Sequence, residues 1–245
     1  MANPYFRFKQ FTVFQDQCAM KVSTDACIFG AWMATVLRTH IPEEGRILDI
    51  GTGTGLLALM VAQQCPAFIT GIELQQADTL QAASNMASSP WAGRLRVVPG
   101  DINDIAFSGS FDAIITNPPF FEDDLPSPAP GRNLARHGET LTFSQVLRAF
   151  IQELSATGIA GILIPYHRLE SFMEEALYLR FFCREQVLLR QTPAHAPFRA
   201  MLWLERQSLD HDDIPRTITH EWAIRDGENY SPECKDLLKD YYLYL

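Results

Sequence analysis

Gly51-Thr52-Gly53-Thr54-Gly55, with Asp49 two residues ahead, is the stretch of this chain best suited to hold a ligand. It lies between a short apolar run, Ile47-Leu48-Asp49-Ile50, and a run of good helix formers, Leu56–Gln64. That order reads as a buried parallel strand, a glycine turn and a helix. Glycines there let the backbone bend sharply and approach a ligand with no side chain in between. A dinucleotide turn needs Gly-x-Gly-x-x-Gly, whereas here the third glycine comes one residue early. Glu73 closes the next apolar run, Phe68–Leu74, about 20 residues on, where a carboxylate can accept two hydrogen bonds from a ribose diol. Asp101 follows the run Leu95–Val98 and is placed to accept from an amino group on an adenine.

A second kind of chemistry lies further along. Phe111–Thr116 reads as a strand and runs directly into Asn117-Pro118-Pro119-Phe120. The prolines end the strand and fix the local backbone. The Asn117 amide oxygen and the Pro118 carbonyl are two acceptors, and Phe120 is a flat apolar face. Together they suit a planar –NH2 group, such as an adenine amine or a glutamine amide. The following stretch, Glu122–Thr140, has no periodic pattern and turns from acidic to basic. Arg132, Arg136 and His137 there are candidate contacts to nucleic-acid phosphates.

The elements that must carry these groups follow from periodicity. Phe6–Phe11 partly alternates and predicts a short edge hairpin; Ser23, Thr24 or Asp25 can cap a helix through Ile28–Met33. Helices are expected at Gln76–Ser88, Thr142–Glu153, Leu169–Leu179 and Glu233–Leu245, and a buried strand at Gly158–Pro165. Phe182–Leu189 and Ala200–Arg206, joined by a short proline-containing turn, are expected to pair antiparallel at one sheet edge. Arg180, Arg184, Arg190 and Arg199 fall in this region as a possible basic face.

Composition narrows the class. A chain of 245 residues that is 47% hydrophobic can bury one large α/β core. No apolar run reaches the length of a membrane span and the N-terminus has no signal-like segment, so a soluble cytoplasmic protein is expected. The five cysteines include no Cys-x-x-Cys pair, which argues against zinc and against a disulfide framework. The net charge of −9 makes nucleic acid a less obvious partner. No internal repeat or linker divides the chain. The expected organisation is one domain, 1–245, with a cap over 1–40, a core over 41–206 and an extension over 207–245.

The Gly-x-Gly-x-Gly form resembles the first motif of class I S-adenosylmethionine methyltransferases. Asn117-Pro118-Pro119-Phe120 resembles the motif of those that methylate amino groups. The likeness narrows further, to the bacterial tRNA1(Val) adenine N6-methyltransferases, which act on the adenine 3′ of the anticodon. Phe8-Lys9-Gln10-Phe11, Cys18-Ala19-Met20-Lys21-Val22-x-Thr24-Asp25, Gly30-Ala31-Trp32, Ser89-Pro90-Trp91, Ala135-Arg136-His137 and Asn229-Tyr230-Ser231 carry it.

The resemblance implies a Rossmann-like sheet of seven strands, the last antiparallel, with helices on both faces. It implies S-adenosylmethionine as cofactor, tRNA as partner, no metal, and a monomer. Lys21, Thr24 and Asp25 would lie near the methionine end of the cofactor. Asp49, Gly51, Gly53 and Gly55 would form its turn, with Glu73 on the ribose, Asp101 or Ile102 at the adenine, and Asn117 reaching both cofactor and base. Phe120 stands where adenine enzymes often carry Tyr, and guanine N2-methyltransferases share Phe. Protein glutamine methyltransferases use the same Asn-Pro-Pro logic, but they usually carry an N-terminal helical domain, and only about 40 residues precede the first core strand here.

Overall fold

A computed structural model describes residues 3–18, 20–118, 141–207 and 215–245. The centre is β3 (Arg46–Ile50), which pairs in parallel with β4 (Phe68–Glu73) on one side and β6 (Phe111–Thr116) on the other. β5 (Leu95–Pro99) extends the sheet beyond β4, and β7 (Leu154–Pro165) extends it beyond β6, both in parallel. β9 (Pro197–Arg206) then inserts antiparallel between β7 and β8 (Phe181–Arg190). β10 (Ile218–Ala223) pairs in parallel with β8, and the order across the sheet is β10-β8-β9-β7-β6-β3-β4-β5.

The expected antiparallel pair is present, with β9 as the one reversed strand. Two expectations change. The sheet has eight strands rather than seven, and the β8–β9 pair is not its edge, because β10 lies outside it. The residues of β10, Ile-Thr-His-Glu-Trp-Ala, are half-buried or exposed and carry no clear alternation. Only the free edge of β8 tells them to pair.

Alternation along the strands separates two apolar layers. Ile47, Ala113 and Ile115 face α1 (Thr24–His40) and α2 (Leu56–Gln64). Leu48, Ile50 and Ile114 face α4 (Phe143–Glu153) and α5 (Leu169–Tyr178). α3 (Gln76–Ala87) lies against β5. α1 is buried almost all round from Ala26 to Leu37, because α2 and the C-terminal segment cover what the sheet does not. α4 starts at a capping box, with Thr142 Oγ1 accepting from Gln145 N and Gln145 Oε1 accepting from Thr142 N.

After β10 the chain makes a small hairpin, β11 (Arg225–Asp226) with β12 (Asn229–Tyr230), and a short helix, α6 (Pro232–Leu238). The helix expected to reach Leu245 ends at Leu238. Pro232 at its first turn and the Ser231 hydroxyl accepting from Cys234 N fix its start.

The N-terminal hairpin, β1 (Tyr5–Arg7) with β2 (Thr12–Phe14), packs where the chain ends. Phe8 stacks on Phe11 at 4.4 Å, Phe11 meets Trp91 edge-on at 5.6 Å, and Phe6 and Tyr230 both pack on Tyr242. Several stretches that set this chain apart in sequence are therefore parts of one aromatic cluster.

Asn85 joins the hairpin to the rest. Its side chain, 1% exposed, accepts from Phe14 N at 3.0 Å and donates to Phe14 O at 2.8 Å and Thr54 O at 2.9 Å. An Asn85→Ala variant strands those backbone groups. It is expected to lose about 2 kcal/mol in chemical denaturation and to expose the Phe14 amide to fast hydrogen exchange.

Candidate active site

The carboxyl ends of β3, β4, β5, β6 and β7 open into one cleft of about 1170 Å³. Strand order reverses there, with β4 and β5 to one side of β3 and β6 and β7 to the other, which is where open α/β sheets bind ligands. The glycine turn forms the floor. Gly51, Gly53 and Gly55 all adopt left-handed backbone, with φ of 65°, 55° and 81°. A Cβ on Gly51 would meet nothing within 4 Å, and one on Gly53 only the Gly51 carbonyl at 4.0 Å. The backbone there faces open space, the cradle that a close-lying ligand needs. Gly55 does not reach the wall. It caps α2, and a Cβ there would meet Met86 Cε at 3.4 Å and Ala82 at 3.7 Å, so it serves helix packing.

Asp49 is fully buried and is not on the cleft wall. Its Oδ2 accepts from Thr52 Oγ1 at 2.6 Å and from Ala58 N at 3.3 Å, while Oδ1 has no partner among the described residues. Burial disfavours the charged form and pushes its carboxyl up to about 7, against the two hydrogen bonds. Asp49 thus holds the turn rather than touching what the turn binds.

Glu73 does line the cleft. Its Oε2 accepts from Gly53 N at 2.9 Å and its Oε1 from Gln75 N at 3.0 Å, which leaves lone pairs on both oxygens for a diol. Asp101 and Ile102 lie across from it. Asp101 Oδ1 accepts from Asn103 N and Nδ2 at 2.8 and 2.7 Å, and Ile102 is buried beside Ile50 and Ile72. Glycine floor, diol acceptor and apolar wall together fit an adenosine bearing a short polar chain.

The N-terminal segment forms the opposite wall through Gln17, Cys18, Met20, Lys21 and Ser23. Lys21 Nζ donates to the carbonyls of Gln15 and Cys18 and so closes its own loop. Burial and the neighbouring Asp78 push the Cys18 thiol up to about 12, so it is an inert wall group. Ser23 is the residue at the N-cap position, but its side chain makes no capping bond. Thr24 is not on the wall; it opens α1 between Ser23 and Asp25 and is half-buried. Asp25 is on the wall and pairs with Arg199, whose Nε donates to Oδ2 at 3.1 Å.

Asn117 and Pro118 come off the end of β6 into the same cleft. Pro119, Phe120, Arg132, Arg136 and His137 lie outside the described residues. Sequence reasoning did not find Thr142 and Gln145, the capping box of α4, on the wall, although Thr-x-x-Gln before an apolar stripe signals a helix start. The supposed basic face is divided: Arg199 enters the cleft, Arg190 bonds Glu221, and Arg180 turns into β8 at the opposite end of the sheet.

A relative from Dyadobacter fermentans, named tRNA1(Val) (adenine(37)-N6)-methyltransferase, is 38% identical over 98% of this chain and 98% of its own. That identity at that coverage settles the family. The chain belongs to the tRNA1(Val) adenine N6-methyltransferases. A family model for the methyltransferase small domain matches residues 28–140. Among solved structures, a predicted O-methyltransferase from Agrobacterium tumefaciens superposes with a TM-score of 0.64 at 18% identity, covering 88% of this chain and 96% of that one. A methyltransferase from Thiobacillus denitrificans, in complex with S-adenosyl-L-homocysteine, superposes with a TM-score of 0.50 at 19% identity, covering 66% of this chain and 67% of that one. These two carry the fold alone, a class I methyltransferase sheet.

The family uses S-adenosylmethionine, and the cleft fits it. Gly51 and Gly53 leave the space a close-lying cofactor takes, Glu73 keeps free lone pairs, and Asp101 and Ile102 close the far side. Among the described residues no group of three or more His, Cys, Asp or Glu is placed to hold a metal, and no helix is long and apolar enough to cross a membrane.

Two outcomes separate floor from frame. Gly53→Ala costs about 1–2 kcal/mol of stability through its left-handed backbone, but should weaken cofactor binding about tenfold or more in titration calorimetry. Asp49 is raised in the folded state, so its contribution is full below its unfolded pKa and is lost as pH rises through about 7. Between pH 5 and pH 8 the wild type should therefore lose thermal stability relative to Asp49→Asn.

Proposed function

We infer that this enzyme transfers a methyl group from S-adenosylmethionine to N6 of adenine 37, 3′ of the anticodon, in tRNA1(Val). One observation carries the reading beyond family membership: Asn117 and Pro118 share a single cleft with the Gly51–Gly53 floor and Glu73. Acceptors for an amine and a seat for a methyl donor thus open into the same space.

The chemistry assigned to the residues is simple. The target base leaves its stack and enters the cleft. The Asn117 amide oxygen and the Pro118 carbonyl accept its two amine hydrogens. That fixes the nitrogen and turns its lone pair towards the cofactor half of the cleft. S-adenosylmethionine supplies an electrophilic methyl group there. Two acceptors favour an amine that gains positive charge as its N–CH3 bond forms; the S–CH3 bond would break with its electron pair staying on sulfur, leaving the neutral thioether, and the methylated amine then loses its proton to solvent. Phe120 is assigned to stacking on the base, and Arg132, Arg136 and His137 to the RNA backbone. Lys21 and Asp25 are assigned to the methionine end of the cofactor. The whole chain is read as one catalytic unit, working as a monomer in the cytoplasm.

Asn117→Ala should lower methyl transfer about 10²–10³-fold while cofactor binding stays close to that of the wild type. Labelled-methyl transfer to total RNA, followed by nucleoside analysis, checks the substrate. N6-methyladenosine confined to one tRNA supports the reading, and label only in protein rejects it.

A further inference from the structure

Among the described residues the cleft wall carries four carboxylates, Asp25, Glu73, Asp78 and Asp101, against two cations, Lys21 and Arg199. A nucleotide entering it brings a phosphate on either side of its sugar, and four acids repel both. Lys21 already spends its ammonium on the carbonyls of Gln15 and Cys18. Arg199 is different. Only its Nε is bonded, to Asp25 Oδ2, and both terminal amino groups carry no hydrogen bond among the described residues. The pair is half-sheltered, with side chains 32% and 15% exposed, and the guanidinium lies 5.7 Å from the Phe198 ring centre. Asp25 and Phe198 thus hold the guanidinium while its N–H groups stay free for an oxyanion.

Its place in the sheet decides which oxyanion. Arg199 sits at the start of β9, opposite Pro165 at the end of β7, and β7 is the neighbour of β6, which ends at Thr116 just before Asn117. It is therefore two strand spacings, about 10 Å, from the Asn117 strand, on the side away from Glu73 and Asp101. From the exocyclic nitrogen of a base, across its sugar, to its phosphate is a distance of the same order. We propose that the Arg199 guanidinium, oriented by Asp25, is a phosphodiester subsite that grips the backbone of the target nucleotide while its base lies at Asn117. The proposal rests on RNA being the substrate.

Wild-type transfer to tRNA is measured first, so that failure of the substrate reading shows before any variant is made. In Arg199→Ala the KM for unmodified tRNA should rise about tenfold or more, and the S-adenosylmethionine Kd by titration calorimetry should stay within about twofold of the wild type. The slope of log Kd for tRNA against log salt should become shallower by about 1, as for one lost phosphate contact. Arg199→Lys, which keeps a cation but not the fork, should recover the salt slope and only part of the affinity. A rise in the cofactor Kd with an unchanged salt slope would overturn the proposal and give Arg199 to the methionine carboxylate. Unchanged tRNA affinity in a folded Arg199→Ala would leave the pair a purely internal ion pair and equally overturn it. Should Arg199→Ala fail to fold, the Arg199→Lys salt slope and tRNA affinity decide alone.

Discussion

Asp49 is the contact on which the site depends. One buried carboxylate oxygen accepts from Thr52 inside the turn and from Ala58 in the first turn of α2, while the residue itself sits in the central strand. Strand, turn and helix are thereby fixed to each other at a single point. The left-handed glycines make the bend possible, but they do not choose it; glycine is as free to do otherwise. The hydrogen bonds to Asp49 make the choice, and the burial that protects them is what raises its carboxyl to about 7. Desolvation is concentrated where the cofactor floor must be preorganised, a common place to find it.

From that point the constraint spreads outward in both directions. The turn is backed by Ile72, whose carbonyl accepts from both Gly51 N and Thr52 N, and by Glu73, which accepts from Gly53 N. Thr54 passes it to Asn85, and Asn85 to Phe14 in the N-terminal hairpin. The hairpin leads into the segment Gln17–Ser23 that walls the cleft. Floor and wall, far apart in sequence, are registered through one amide side chain. The aromatic cluster of Phe6, Phe8, Phe11, Trp91, Tyr230 and Tyr242 holds the hairpin from behind, away from the chemistry.

Local patterns were legible in the sequence and long-range pairings were not. The glycine turn, Glu73, Asp101 and Asn117 each follow a strand at a spacing that the chain itself displays, and the structure brings all four stretches to one cleft. Asp49 was readable as part of the motif but not as its internal support, because burial is not written in a dipeptide. Thr24 sits one residue from Asp25 and yet is not on the cleft wall, a consequence of helical rotation that spacing alone cannot assign. β10 escaped because its residues alternate weakly and its partner β8 is some 30 residues away, a connection longer than most between adjacent elements. The Asp25–Arg199 pair spans most of the chain, and no local rule points from one to the other.

The acidic net charge also acquires a physical meaning. Among the described residues the carboxylates that line the cleft lie mostly on the half formed by β3, β4 and β5, and oxygen acceptors and negative charge there suit a diol, an amine or a cation. Beyond the point where strand order reverses, the wall offers Asn117, Pro118, Leu163, Pro165 and Arg199, with Asp25 already neutralised by its partner. Among the described residues the charge of the cleft wall is therefore sorted along the sheet and not spread over it. A protein with an overall charge of −9 can bind a polyanion on these terms, provided that the anion meets the half where, among the described residues, the one acid is paired. The reversal of strand order that creates the cleft is also what separates its two electrostatic halves.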